Sequence, residues 1–432
     1  MMAGMPKFIR TLRILAASAL LVGMVAIVPG SATAQPTHRD RAESGGLDRA
    51  ALHRGLAAIP AAGAPGALAA VRSGPAGWQG AAGIAELSNA RPMRPHMRHR
   101  IGSITKTFVA TTLLQLVQEG RIGLDDPVGR WLPELVPGEI GQRVTVRMLL
   151  NHTSGIGNYT DALLTSLTAV IELQTARFTP TELAAIGLAM PRTGEPGERF
   201  SYSNTNYILA GLLIERVTGT DVVTEVDRRI LRPLRLADTY FPGAEARIRG
   251  PHAGAYFAAL GVRDFGTYDM SWAWAAGELV STMEDLNTFF RALLGGRLLS
   301  ARTLEQMLTT VPMDPQVPQA GRYGLGIYSL DLPCGTFWGH DGGVIGQLTL
   351  SLHSRDGVRQ VSTGVNMSHY QIPVPGEAHP IDAAWVGFAG TALCPASAMT
   401  TARTAMLPTL PAITALSSVT APTSTASATP LR

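Results

Sequence analysis

The feature that most constrains this chain is the stretch Arg100-Ile101-Gly102-Ser103-Ile104-Thr105-Lys106-Thr107-Phe108, where a serine and a lysine stand three residues apart as a helical pattern begins. From Ser103 onward Ile104, Phe108, Val109, Leu113, Leu116 and Val117 recur at helical spacing, and Gly120 stands where a left-handed terminator belongs. The pattern places Ser103 in the first turn of a buried helix. Residues at i and i+3 share one face, so the amine and the hydroxyl come within hydrogen-bond reach. Of 36 basic side chains only Lys7 and Lys106 are lysines, and Lys7 lies in a segment read below as removed. Arginine keeps its proton, whereas a buried lysine can shed one and then take another from a hydroxyl. Alone, the pair also fits a plain helix start, with Ser103 as a cap and Lys106 in solvent.

At 432 residues and 46% hydrophobic content, the chain can bury a core within one large or two moderate domains. Residues 1–34 carry Lys7, Arg10 and Arg13 without an acid, then an uncharged run from Ile14 to Val28, then Ala32-Thr33-Ala34. This is the pattern of a secretory signal peptide, with an apolar run shorter than the roughly 20 residues of a membrane span. Removing its three cations takes the formal charge from +4 to +1, so the basic balance belongs to the leader and no nucleic-acid partner is implied. In a secreted location Cys334 and Cys394 read as a disulfide pair closing a loop of about 60 residues, the alternative being two buried free thiols.

Along the chain, a helical pattern over 47–59 precedes strands at 66–73 and 78–87 that turn at Gly74-Pro75. From about 124 to 280 the signals are helices between Gly- and Pro-rich loops, which implies a helical lobe. Thr179-Pro180-Thr181-Glu182 reads as a capping box, and Ser281-Thr282-Met283-Glu284 as a second one before the run 286–294. From Gly324 the period changes to that of strands, at 325–330, 337–340, 347–353 and 358–365, followed by a helix over 383–393. The resulting organisation is a leader over 1–34, a folded domain over 35–395 and an Ala/Thr/Ser/Pro-rich disordered tail over 396–432.

Two further motifs fall at element ends: Ser201-Tyr202-Ser203-Asn204 before a helical run, and Gly339-His340-Asp341-Gly342-Gly343 at a strand edge. Each alone is ordinary, a helix cap and a turn. In the order Ser-x-x-Lys, Tyr-x-Asn, then a cation followed by x-Gly, the set resembles the penicillin-interacting serine hydrolases. Leu149-Leu150-Asn151-His152-Thr153-Ser154-Gly155, Ser271-Trp272-Ala273 and Tyr323-Gly324-Leu325-Gly326 extend the resemblance to secreted actinomycete D-alanyl-D-alanine carboxypeptidases, in a group that also holds class C β-lactamases and related esterases.

That resemblance implies an α+β, β-lactamase/transpeptidase-like fold: an antiparallel sheet flanked by helices, an all-helical lobe, and the site between them. It implies Ser103 as acylated nucleophile, Lys106 as its proton acceptor or relay, Tyr202 as second proton-transfer group, Asn204 as a donor to the substrate amide, and His340 as the polar third corner. Trp272 would contact substrate, and the backbone N–H groups of Ser103 and Gly343 would form the oxyanion hole. Such chemistry needs no cofactor. His152, His340 and Asp341 show no metal-ligand spacing, and His152 reads as a satisfied buried histidine. No Gly-x-Ser-x-Gly, His-Glu-x-x-His or P-loop motif competes. The implied partners are a small peptide, ester or β-lactam substrate, with no nucleic acid and no membrane span after the leader is removed.

The third corner departs from the carboxypeptidase pattern. Asp341, Gly343 and Tyr328 stand where that branch carries two hydroxyl residues and an arginine that together hold a terminal carboxylate, and an acid at 341 would repel one. Three readings follow: a D-alanyl-D-alanine carboxypeptidase-like peptidase, an esterase, amidase or D-aminopeptidase for which Asp341 suits a substrate amine, and a penicillin-binding sensor without hydrolysis.

Overall fold

The structure, a computed structural model, describes residues 46–259, 261–317, 321–370 and 379–394; the leader and the tail expected from the sequence lie outside them. Asp48 opens helix α1 (Arg49–Ala61) by accepting the Ala51 N–H. Strands β1 (Gly66–Ser73) and β2 (Ala76–Glu86) then form the expected hairpin, whose turn needs the left-handed Gly74. After the short β3 (Arg91–Pro92) the chain leaves the sheet for helix α2 (Thr105–Gln118) and a mostly helical stretch. That stretch includes α3 (Pro180–Ala189), α4 (Thr205–Thr218) and α5 (Met283–Leu294).

The chain returns through β4 (Val311–Pro312), β5 (Arg322–Tyr323), β6 (Tyr328–Leu332), β7 (Gly335–Val344), β8 (Gln347–Ser354) and β9 (Arg359–Val365), and closes with α6 (Pro380–Leu393). The strands form one antiparallel sheet in the order β3-β2-β1-β9-β8-β7-β6-β5-β4. The first hairpin and the last strand thus meet in mid-sheet, with Val71 opposite Val361.

Alternation along the strands gives the sheet two apolar faces. Leu348, Leu350 and Leu352 face α1 and α6, where Leu52, Leu56, Trp385 and Phe388 complete one core. On the other face α2 packs against α5, and Phe108 stacks on Phe289 at a 3.7 Å centroid separation. Cys334, in the turn between β6 and β7, is joined to Cys394 at the end of α6.

Several expectations shift. Ser103 lies in a 3₁₀ turn, Gly102–Ile104, one step ahead of α2. The Thr179 capping box is present in full. The second is not: Thr282 caps α5 by accepting the Asp285 N–H, because Ser281 is engaged opposite His99 in a two-stranded bridge. Glu284, freed from a capping role, pairs instead with Arg72 on β1 at 2.8 Å. The helical middle is also interrupted by a small sheet, Tyr256–Phe257 and Arg263–Asp264 with Met367–Ser368. Among the described residues no helix is long and apolar enough to cross a membrane.

Candidate active site

Gly102 and Gly342 bring the catalytic elements together. A Cβ on Gly342 would lie 1.9 Å from the Ile101 carbonyl oxygen and 2.9 Å from the Ser103 nitrogen, and one on left-handed Gly102 would lie 2.8 Å from the Gly343 nitrogen. Only two glycines allow the Ser103 turn to rest against β7 backbone to backbone. Ser103 and Gly343 therefore border the same pocket.

One turn into α2, Lys106 is fully buried and its Nζ has three neighbours: Ser103 Oγ at 3.0 Å, Asn204 Oδ1 at 2.7 Å and the Ala276 carbonyl at 2.7 Å. Burial drives its pKa well below the ordinary lysine value, with the charge of Asp341 opposing in part. A neutral amine has two N–H bonds and one lone pair. Asn204 Oδ1 and the Ala276 carbonyl can only accept, so they take the two N–H groups and leave the lone pair facing the Ser103 hydroxyl.

Tyr202 completes the group. Its ring centroid is 5.0 Å from Lys106 Nζ and its hydroxyl is hydrogen-bonded with Ser103. Burial pushes the phenol upward and the Ser103 bond opposes that, so at neutral pH the hydroxyl keeps its proton. Asn204 stands at the start of α4 but makes no side-chain cap. Its amide instead donates to Asn158 Oδ1 and Thr160 Oγ1, each at 3.2 Å, which fixes the carbonyl end on Lys106.

The remaining residues are placed differently from the sequence reading. Trp272 lines the pocket. His340 does not: it is buried, its Nδ1–H donates to the Asp341 carbonyl and its Nε2 accepts the Tyr323 hydroxyl at 2.8 Å. Burial lowers its pKa to about 3, so it supports the wall as a neutral ring. Asp341 also lies off the pocket. It is buried opposite Leu350 in the β7–β8 register, outside the pocket lining, and its charge, after burial, helps raise the Tyr328 phenol. The expectation that Asp341 stands beside the substrate's end is thereby corrected: it acts through its charge from behind the wall.

Sequence reasoning missed Asn158, Thr160 and the Ala276 carbonyl. The first two follow the Leu149–Gly155 motif closely, which was the available signal. The third had none, since it is a backbone atom delivered by a turn in which Trp274 adopts φ +32°. Among the described residues no group of three or more His, Cys, Asp or Glu side chains could hold a metal ion.

A serine hydrogen-bonded to a buried neutral amine and a protonated phenol, with the Gly343 backbone bordering the same pocket, defines a serine hydrolase of the β-lactamase fold. The comparisons agree. Residues 46–352 match the family model Beta-lactamase, and the chain belongs to that family. It is 35% identical over 191 residues to esterase EstB of Burkholderia gladioli, covering 42% of this chain and 48% of that protein. It is 26% identical over 230 residues to the putative penicillin-binding protein PbpX of Bacillus subtilis, covering 53% and 52%. The chain thus spans about half the length of these curated relatives. Among solved structures, a D-stereospecific amidohydrolase from Streptomyces sp. is similar with a TM-score of 0.71 and 41% identity, over 79% of this chain and 99% of that one. A D-amino acid amidase from Ochrobactrum anthropi SV3 gives 0.70 and 26%, over 82% and 99%.

Proposed function

We propose that the chain hydrolyses amides or esters of D-amino acids through an acyl-Ser103 intermediate. The observation that carries this reading is the character of the pocket wall: Tyr159, Leu164, Trp272 and Val344 with Ser103 and Asn204, and no cationic side chain. A terminal carboxylate would find no counter-charge there, whereas an uncharged amide or ester avoids the cost of burying an unpaired anion. The 41% identity over nearly the whole of the Streptomyces D-stereospecific amidohydrolase supports the D-preference.

In the acylation step the Ser103 proton moves to the Lys106 lone pair as Oγ bonds to the substrate carbonyl carbon. The oxygen that becomes negative is met by the Ser103 and Gly343 N–H groups. Tyr202 gives its proton to the departing amine or alkoxide as the carbonyl carbon releases it, and is re-protonated from Lys106. Water then repeats the sequence on the acyl-enzyme, releasing the D-amino acid and free Ser103. The leader-like residues 1–34 support export of this enzyme, and the Cys334–Cys394 disulfide fits an oxidising compartment.

The test is a parallel assay of D- and L-phenylalanine amide, a short-chain nitrophenyl ester and an acyl-D-Ala-D-Ala peptide, with Ser103→Ala as the blank. Turnover of the D-amide at least about 100-fold above the L-amide is expected, with no activity in the blank. Faster release of free D-alanine than of ammonia would favour the carboxypeptidase reading. Labelling by a fluorescent penicillin without turnover of any substrate would favour a sensor.

A further inference from the structure

His152 belongs to none of the steps above, yet it is completely buried and holds a left-handed backbone at φ +59°. Such a conformation is costly for a residue with a Cβ. It grips the segment that carries Tyr202 and Asn204 from several sides. Its carbonyl accepts the Ser201 N–H at 2.8 Å, and its Nδ1 faces the Ser203 N–H and the Asn206 amide, each at 3.2 Å. Its ring lies 4.2 Å from the Tyr202 ring at a tilt of 34°.

The Ser203 N–H can only donate, so Nδ1 is the bare nitrogen and the ring proton sits on Nε2. Burial keeps the imidazole neutral. Nε2 finds no hydrogen-bond partner among the described residues, and the rings of Tyr202, Tyr207 and Tyr323 surround the imidazole. A residue that merely filled this space would incur neither the backbone cost nor the unpaired N–H.

We propose that His152 is a positioning residue for Tyr202: it fastens the 201–206 turn at its backbone and side chain and sets the phenol against Ser103. This rests on the role given to Tyr202 in the proposed reaction, and the experiment separates the two. The kinetics of Tyr202→Phe, His152→Asn and the double variant are measured on a D-aminoacyl nitroanilide, in the full-length protein. Asparagine tolerates the left-handed backbone and offers an oxygen to the Ser203 N–H, but has no ring for Tyr202.

The expected result is a kcat lowered about 10- to 100-fold in His152→Asn with KM within about 3-fold of wild type, and a change below about 2-fold when the same substitution is added to Tyr202→Phe. An equal factor in both backgrounds, or a wild-type kcat in His152→Asn while Tyr202→Phe is impaired, overturns the proposal and leaves the reaction scheme standing. A wild-type kcat in Tyr202→Phe overturns both. If His152→Asn is insoluble, Asn206→Ala removes one of the two donors to Nδ1. It is expected to lower kcat at least about 3-fold, again only while Tyr202 is present.

Discussion

Asn204 turns its carbonyl oxygen, and not its amide nitrogen, toward Lys106, at 2.7 Å. The neutrality of the second partner matters as much as its position, because an anion there would hold the amine as an ammonium. Asn204→Asp supplies that anion with little change of shape. An opposite charge at this range raises a pKa by about 1–3 units, so the rising limb of kcat/KM against pH should move upward by that amount. Activity at pH 7 should fall about 10-fold or more and recover in part at high pH. A profile that keeps the wild-type limb would show that Lys106 does not have to lose its proton.

Lys106→Arg tests the same requirement from the other partner. A guanidinium keeps its proton under all assay conditions and has no lone pair for Ser103. Acylation should slow by at least about 10³-fold, read by mass spectrometry as the rate at which a penicillin or an activated ester adds to Ser103. A near wild-type rate would remove the amine from the mechanism.

The Ser103–Lys106 pair was legible because it lies within one helical turn, where spacing alone fixes proximity. Tyr202, Asn204 and Gly343 were legible as motifs set at the ends of elements. Asp341 and His340 were misplaced because a motif gives order but not depth: both side chains are buried along β7, and the residues lining the pocket include Gly343 but neither His340 nor Asp341. The Ser281 cap failed for a related reason, since the His99–Ser281 pairing is a tertiary contact that local propensity does not contain. Strand β4 escaped notice because two residues, one a proline, carry no period.

Acid should unfold the protein early. Burial lowers His99, His340 and His353 to about 3 each, against about 6.5 in an unfolded chain. Between those values the unfolded state binds protons that the folded state does not, so stability falls as pH drops, by up to about 1.4 kcal/mol per pH unit for each ring. Glu278, raised to about 8 chiefly by burial, works in the opposite direction over the window from about 4.5 to 8. These four groups alone give a slope of about 3 kcal/mol per pH unit between pH 6 and pH 4.5, and His152, which burial also holds neutral, adds to it in the same direction; the slope is measurable by urea unfolding at several pH values. His353→Gln should flatten it by about 1.4 kcal/mol per pH unit. A slope unchanged by that substitution would mean the ring is not held neutral.

The Cys334–Cys394 bond closes a loop with a sequence separation of 60 and lies away from the pocket. Chain entropy gives it about 4 kcal/mol, which for a domain of this size is a fall in Tm of about 6 °C on replacing both cysteines by serine. kcat/KM at 25 °C should stay within about 2-fold of wild type, since no residue of the acyl-transfer group touches the bond. Loss of activity without loss of Tm would contradict that separation.

The closest test of the assembled site is a single methyl group. Gly342→Ala would place a carbon 1.9 Å from the Ile101 oxygen and 2.9 Å from the Ser103 nitrogen. Both are backbone atoms of the turn that carries the nucleophile, so neither can step aside as a side-chain tip would. Either β7 or the Ser103 turn must move by about 1 Å, and a displacement of that size at a reacting centre costs about 10²-fold in rate. The two backbone N–H groups proposed as oxyanion donors, Ser103 and Gly343, sit on the two sides being forced apart, so kcat should fall more than KM rises. Gly387→Ala in α6 is the matching control: a Cβ there meets nothing within 4 Å, and alanine in a helix interior should add about 0.5–1 kcal/mol of stability with unchanged rate. If Gly342→Ala retained full activity, the backbone contact between the Ser103 turn and β7 would not be what aligns the reaction.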